Sequence, residues 1–190
     1  MKPHVRVLGI DDSPFSFSDS KVTVIGVVMR VPSYLEGVMR SRLTIDGEDG
    51  NDVLARMINS SRYKEQLRLV MLDGIAMGGF NVIDLKALNQ ATGLPTVSVT
   101  RDPPNLVKME AALKRHFIDW ERRLHLITQS PLFQVRTAHK PLYVAAAGID
   151  EKEVADLIDR SIVRGALPEP IRIAHLIAGA IEKGESKGDA

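Results

Sequence analysis

The chain has 190 residues, 44% hydrophobic and 26% charged, which is enough apolar material for one sizeable core and too much for a disordered chain. Lys and Arg total 25 against 24 Asp and Glu, a formal net charge of +1, so attraction to a phosphate polymer must come from a local patch and not from bulk charge. With no cysteine, disulfides, thiolate zinc sites, iron–sulfur clusters and thiol nucleophiles are excluded, and metal chemistry is left to oxygen and imidazole. The first residues run into an apolar stretch that meets Asp11 and Asp12, which is not the layout of a signal peptide, and a cytoplasmic protein is expected. The longest apolar run, residues 22–29, is far below the roughly 20 residues that cross a bilayer, so no membrane association is expected.

In chain order, residues 5–11, 21–30 and 41–47 are rich in Val, Ile and Thr and bounded by polar, Gly or Pro clusters, and they read as three strands of an antiparallel meander. Residues 52–61 then place Val53, Leu54, Met57 and Ile58 on one helical face, and residues 67–72 form a compact apolar strand ending at Asp73. Asn81 can cap a helix carrying Val82, Leu85 and Leu88, with Gly93 as its left-handed stop and a strand over 96–100. That strand, helix, strand unit requires parallel pairing and a right-handed crossover. A long helix over 106–127 follows, its stripe running through Leu106, Met109, Leu113, Phe117, Trp120, Leu124 and Ile127. A strand over 142–146, a helix over 150–163 and an apolar helix over 169–182 complete the core; residues 183–190, rich in Gly and charge, read as a frayed tail.

Three antiparallel strands followed by alternating helices and strands is the element order of the ribonuclease H-like architecture, an α/β fold with a central mixed sheet and flanking helices, here as one domain over residues 1–182. In that topology the first and fourth strands are parallel neighbours, and Asp11 and Asp73 end them about 5 Å apart in the pairing direction. Two carboxylates so placed repel each other in a partly dry crevice, and a divalent cation resolves the conflict. Oxygen ligands favour Mg²⁺ or Mn²⁺, which neutralises charge developing on a phosphate and activates water for phosphodiester hydrolysis. Asp46, ending the third strand at the same edge, supplies a third ligand; Asp49 is the alternative, while Asp49 or Asp52 also fits as a helix cap.

Asp73 is followed by Gly74, Gly78, Gly79 and Asn81 in a loop with an apolar middle. It reads either as a tight turn or as backbone that approaches a phosphate or base near a helix start. His175, in an apolar helix, reads either as a satisfied core residue or as a group that orients or protonates near the carboxylates. Lys108, Lys114, Arg115, Arg122 and Arg123, interrupted by Glu110, Asp119 and Glu121, read as a solvated face with little weight as a phosphate patch.

Gly9-Ile10-Asp11-Asp12-Ser13-Pro14-Phe15, Leu72-Asp73-Gly74-Ile75 with Gly79-Phe80-Asn81, Gly93-Leu94-Pro95, and Pro168-Glu169-Pro170-Ile171-Arg172-Ile173-Ala174-His175-Leu176-Ile177 resemble the archaeal endonuclease dU family, related to endonuclease V. The resemblance spans nearly the whole chain. It implies a Mg²⁺-dependent endonuclease acting on DNA, or RNA, at damaged or deaminated bases. Under it Asp11 is selected over Asp12, Asp73 is the second aspartate, Asp46 replaces a glutamate, His175 matches a late histidine and Arg101 stands where endonuclease V has a lysine. Pro32-Ser33-Tyr34-Leu35 is a loose counterpart of its strand-separating wedge, which makes Tyr34 a nucleic-acid contact. The expectation is therefore that Asp11, Asp46 and Asp73 hold the cation, that His175 assists, and that Tyr34, Gly74, Gly78, Gly79, Asn81 and Arg101 meet the nucleic acid. Two other functions fit the same residues: a catalytically silent nucleic-acid-binding protein on this scaffold, and a nucleotide- or small-molecule-binding protein using the glycine-rich loop.

Overall fold

A computed structural model describes residues 5–16 and 18–187. The start of the chain at 1–4, Phe17, and 188–190 of the expected tail lie outside the described residues. Three strands open the fold: β1 (Arg6–Asp12), β2 (Lys21–Arg30) and β3 (Tyr34–Thr44). After α1 (Gly50–Asn59) and a short 3₁₀ turn comes β4 (Leu67–Asp73), then a two-residue hairpin of β5 (Ala76–Met77) and β6 (Asn81–Val82), α2 (Leu85–Thr92) and β7 (Thr96–Thr100). The second half holds α3 (Leu106–His116), α4 (Trp120–Thr128), β8 (Phe133–Val135), β9 (Leu142–Ala147), α5 (Glu151–Ser161) and α6 (Glu169–Lys183).

The main sheet has the order β3-β2-β1-β4-β7-β9-β8. Strands β1, β4 and β7 are parallel neighbours, whereas β2 pairs antiparallel with β1, β3 with β2, β9 with β7 and β8 with β9. This is the mixed ribonuclease H-like sheet. Side chains alternate across it with period two. Leu8, Ile10, Val70 and Leu72 pack under Leu54, Ile58 and Leu88 of α1 and α2. On the opposite face Val7, Leu69 and Val97 meet Leu157 and Ile158 of α5, while Ile25, Val27 and Met29 meet Ala174 and Ala178 of α6.

Three elements differ from the sequence reading. The helix expected over 106–127 is two helices, because Phe117 adopts an extended backbone (φ −130°, ψ 131°) and turns its ring edge-on to Phe80 at 5.7 Å between centroids. The apolar stripe persists across the break because both helices pack on one cluster with Val82, Leu113 and Ile127, so periodicity gave no sign of it. Asn81 lies in β6 and not at a helix cap; Asp84 caps α2 by accepting from the amides of Lys86 and Ala87. Strand β3 begins seven residues earlier than hydrophobicity suggests, since it is an edge strand with mostly exposed side chains. Among the described residues, no helix is long and apolar enough to cross a membrane.

Candidate active site

Strand register builds the site. Ile10 pairs with Leu72 across β1 and β4, so Asp11 and Asp73 are the next residues of two adjacent parallel strands. Continuing the alternation of Val7 and Gly9, and of Leu69 and Met71, both carboxylates point to the α6 face. Helix α6 lies close against β1 because Gly9 has no side chain: a Cβ there would sit 2.3 Å from the backbone carbon of Pro170. This close approach carries His175 over the strand ends, where its Nδ1 lies 2.8 Å from Asp11 Oδ2. One ligand atom from each of Asp11, Asp73 and His175 lies within 4.8 Å of the others.

The electrostatics are unfavourable for bare carboxylates. Asp11 is only 5% exposed, and burial first, then the charges of Asp73 and Asp12, push its pKa up to about 8, against the Asp12 amide and Arg101. Burial also raises Asp73, opposed by His175 and Arg101. Asp12 is raised by burial too, although the Gly78 amide counters it. A divalent cation fits this donor set: two crowded carboxylates with too little positive charge around them, an adjoining imidazole, and an opening to solvent on the side of His175, whose side chain is 44% exposed.

Asp12 points the other way, as alternation requires, and its Oδ2 accepts from Gly78 N at 2.9 Å. Asp46 is not brought to the cluster. The strand order puts β2 between β3 and β1, which leaves the end of β3 two spacings, about 10 Å, from β1. Asp46 itself takes φ 55° and turns its carboxylate onto the glycine loop, accepting from Phe80 N at 2.8 Å. Gly79 makes room for it, since a Cβ there would be 2.3 Å from Asp46 Oδ1. Asp49 is occupied as well: despite the burial that acts against ionisation, bonds from Thr44 N and Oγ1 and from Asn81 hold its pKa low.

The expected nucleic-acid contacts divide. Arg101 follows β7, and its charge acts on both Asp11 and Asp73. Gly74 directly follows Asp73 with φ 81°, and its N–H is given to Val99 O. The Gly78 and Phe80 amides, expected to approach a ligand, are instead taken by Asp12 and Asp46. Asn81 is fully buried; it donates to Thr44 O and Asp49 Oδ1 and accepts from Gly50 N, which makes it an internal brace with no surface to offer. Tyr34 is at the wrong end of the sheet. It pairs with Arg30, and Arg30 with Arg6, five residues and about 17 Å from Asp11 along β1.

One residue in the basic run does more than the sequence indicated. Arg123 is 5% exposed, donates from Nη1 to Gly47 O (3.0 Å) and Phe80 O (2.6 Å) and from Nε to Asp119, and lies 4.3 Å over the Phe117 ring. It ties α4 to both loops that flank Asp46. The one available signal was Asp119 four residues before it, the spacing of a helical ion pair.

The family described as endonuclease dU matches residues 3–182. The UPF0215 protein of Thermococcus kodakarensis is 44% identical over 98% of this chain and 97% of its own; that of Methanothermobacter thermautotrophicus is 39% identical over 100% and 94%. Among solved structures, a protein of unknown function from Archaeoglobus fulgidus superposes with a TM-score of 0.82 at 34% identity, covering 93% of this chain and 98% of that one. Endonuclease V of Ciona intestinalis, in complex with a DNA 24-mer containing an inosine followed by a ribo-adenosine, gives 0.57 at 14% identity, with coverage of 90% and 83%. The likeness to endonuclease V is one of fold.

Proposed function

The chain belongs to the endonuclease dU family, and from that premise we propose that it is a metal-dependent endonuclease, cutting a phosphodiester bond in DNA at or near a damaged or deaminated base. The observation that carries the proposal is the cluster itself: buried Asp11 and half-buried Asp73 at adjacent ends of parallel strands, with His175 Nδ1 2.8 Å from Asp11. Asp11 and Asp73 would hold Mg²⁺ or Mn²⁺. When bound, the cation supplies positive charge that polarises the phosphoryl group and offsets the charge developing on it.

The chain's own groups do the rest. Asp11 fixes the ring of His175 through Nδ1, so the imidazole has a set orientation. Its other nitrogen, on a half-exposed side chain, is the one able to exchange a proton with water or with the leaving oxygen. Arg101 adds a fixed positive charge beside the carboxylates, suited to a phosphate drawn toward an otherwise acidic crevice. Asp12, Asp46 and Arg123 hold the loops around that crevice and do not enter the chemistry.

The test is incubation with Mg²⁺ or Mn²⁺ and duplexes carrying deoxyuridine, deoxyinosine or no lesion, alongside an RNA strand of matching sequence. Lesion-dependent nicking of the DNA is expected, with a loss of at least a hundredfold in Asp73→Asn, since it removes a cation ligand. An Asp73→Asn variant that cuts as well as the parent, or a parent that cuts none of these substrates with either metal, overturns the proposal.

A further inference from the structure

Beside β3 the surface is cut by a groove of about 1570 Å³ lying between that edge strand and α1. Its walls are held by a specific fit. A Cβ on Gly37 would fall 2.6 Å from the Tyr63 ring, and Tyr63 Oη donates to Glu36 O at 2.8 Å, so the segment after α1 is clamped onto β3. Four arginines line this groove, Arg40, Arg42, Arg56 and Arg62, and all four are exposed. Asp52 is the one acid among its lining residues. The ion pairs of the described residues engage Arg6, Arg30, Arg122, Arg123, Arg160 and Arg172 and leave these four without an acidic partner. A chain whose net charge is +1 thus concentrates uncompensated positive charge at one sheet edge.

The groove meets a second, smaller concavity at Arg42, by the ends of the strands. Lys21, Ser13 and Thr23 line that concavity with Arg42, and Ser13 stands two residues from Asp11 on β1. Asp19 and Glu182 are the acids facing it. Register makes the relation quantitative: Asp11 pairs with Ile25, and Ile25 with Arg40. Arg40 therefore shares a cross-strand row and a sheet face with Asp11, two strands and about 10 Å away; Ile25 between them is buried beneath Ala174 and Ala178 of α6, so a bound backbone passes around the strand ends by way of Arg42 and Ser13. At about 3.4 Å per nucleotide along a strand of duplex DNA, the direct separation alone equals roughly three nucleotides, which sets the least distance between these contacts and the bond cut.

We infer that the β3–α1 edge is a phosphate track, on which Arg40, Arg42, Arg56 and Arg62 hold the backbone of the DNA flanking the bond presented to Asp11 and Asp73. The inference rests on the endonuclease reading and adds where the substrate lies. Contacts with phosphates give affinity and register without reading bases, which suits a protein that must scan ordinary duplex before meeting a lesion. The four side chains are exposed and pack no core, so they can be replaced without unfolding the chain.

The experiment is fluorescence anisotropy with a labelled 24-base-pair duplex containing one deoxyuridine, in chelator, for the parent, R40A/R42A, the four-alanine variant and Asp73→Asn, at several salt concentrations. Each lost contact takes about 0.9 from the slope of log K against log salt. R40A/R42A should bind on the order of fiftyfold more weakly at 0.1 M salt, and the four-alanine variant should lose about 3.6 from the slope. Thermal unfolding should be unchanged. Under cutting conditions KM should rise while kcat is kept. Asp73→Asn should bind with the full slope and fail to cut. If it does so while the arginine variants bind like the parent, the track is wrong and the cutting site stands. If the parent shows no salt-dependent binding to the duplex, both are overturned.

Discussion

Asp11→Asn should make the cation-free protein more stable at pH 8. In the folded chain burial, with the charges of Asp73 and Asp12, pushes the pKa of Asp11 up to about 8 from an ordinary 3.8. Between those values the folded state holds a proton that the unfolded state has released. Stability therefore falls as pH rises through this window, at up to about 1.4 kcal/mol per pH unit for one proton. The ceiling is on the order of 5 kcal/mol; relaxation and water entry at a site open beside His175 reduce the expected gain for the neutral amide to about 2 kcal/mol. For a domain of this size that raises Tm by roughly 4–8 °C. The assay is thermal unfolding by circular dichroism in chelator, at pH 5 and pH 8. The gain should be present at pH 8 and small at pH 5, where the parent is already protonated. Adding Mn²⁺ at a hundred times its Kd should stabilise the parent by about 2.7 kcal/mol and the variant far less. An Asn variant no more stable than the parent at pH 8 in chelator would refute the claim that these carboxylates are crowded and dry.

Gly9→Ala forces a methyl group against the Pro170 backbone; about 1–3 kcal/mol of stability should be lost by overpacking, and the His175 imidazole resonance should shift as α6 moves off β1. Arg123→Ala leaves Gly47 O and Phe80 O without their donor and should lower stability by about 2–4 kcal/mol in chemical denaturation; an unchanged midpoint would show that the guanidinium braces nothing. Asn81→Ala should cost about 2–3 kcal/mol with no change in the salt slope of DNA binding, and a changed slope would restore it to the nucleic-acid interface.

The pairing of Asp11 with Asp73 was legible in the sequence because the element order matched a known architecture in which the first and fourth strands are neighbours, and the family resemblance chose Asp11 over Asp12. Local hydrophobic patterns gave the elements themselves, and the residues that stand next to a registered pair inherit its geometry. His175 was legible as a motif but not as a contact: its position depends on how closely α6 approaches β1, which the missing side chain at Gly9 sets. Asp46 went astray for a different reason. Placing it at the same edge was correct, yet edge membership does not measure lateral distance, and β2 intervenes. Asn81 and Gly78 looked like ligand contacts because small polar loop residues serve equally to bind phosphates and to satisfy a neighbouring carboxylate, and only the fold decides which acceptor arrives first. The four arginines of the groove, two on β3, one on α1 and one in the turn after it, had no run to mark them.

Five aspartates crowd the carboxyl edge of this sheet, and the way their charges are disposed explains why two of them stand apart. Asp12 is answered by the Gly78 amide, Asp46 by the Phe80 amide, and Asp49 by Thr44 and Asn81. The bonds from Gly78, Phe80 and Asn81 tie the glycine-rich segment after β4 to the meander and the start of α1, so these acids spend their charge on internal donors and fix a loop in doing so. Asp11 and Asp73 lie on the opposite face, where Gly9 and α6 leave an imidazole, Arg101 and each other as the groups around them. The two carboxyl groups that the loop does not engage are thereby one pair beside the half-exposed side chain of His175. On the proposed endonuclease reading, that pair is where a cation would be held, and the arginine-lined edge is what would offset its repulsion of a DNA backbone.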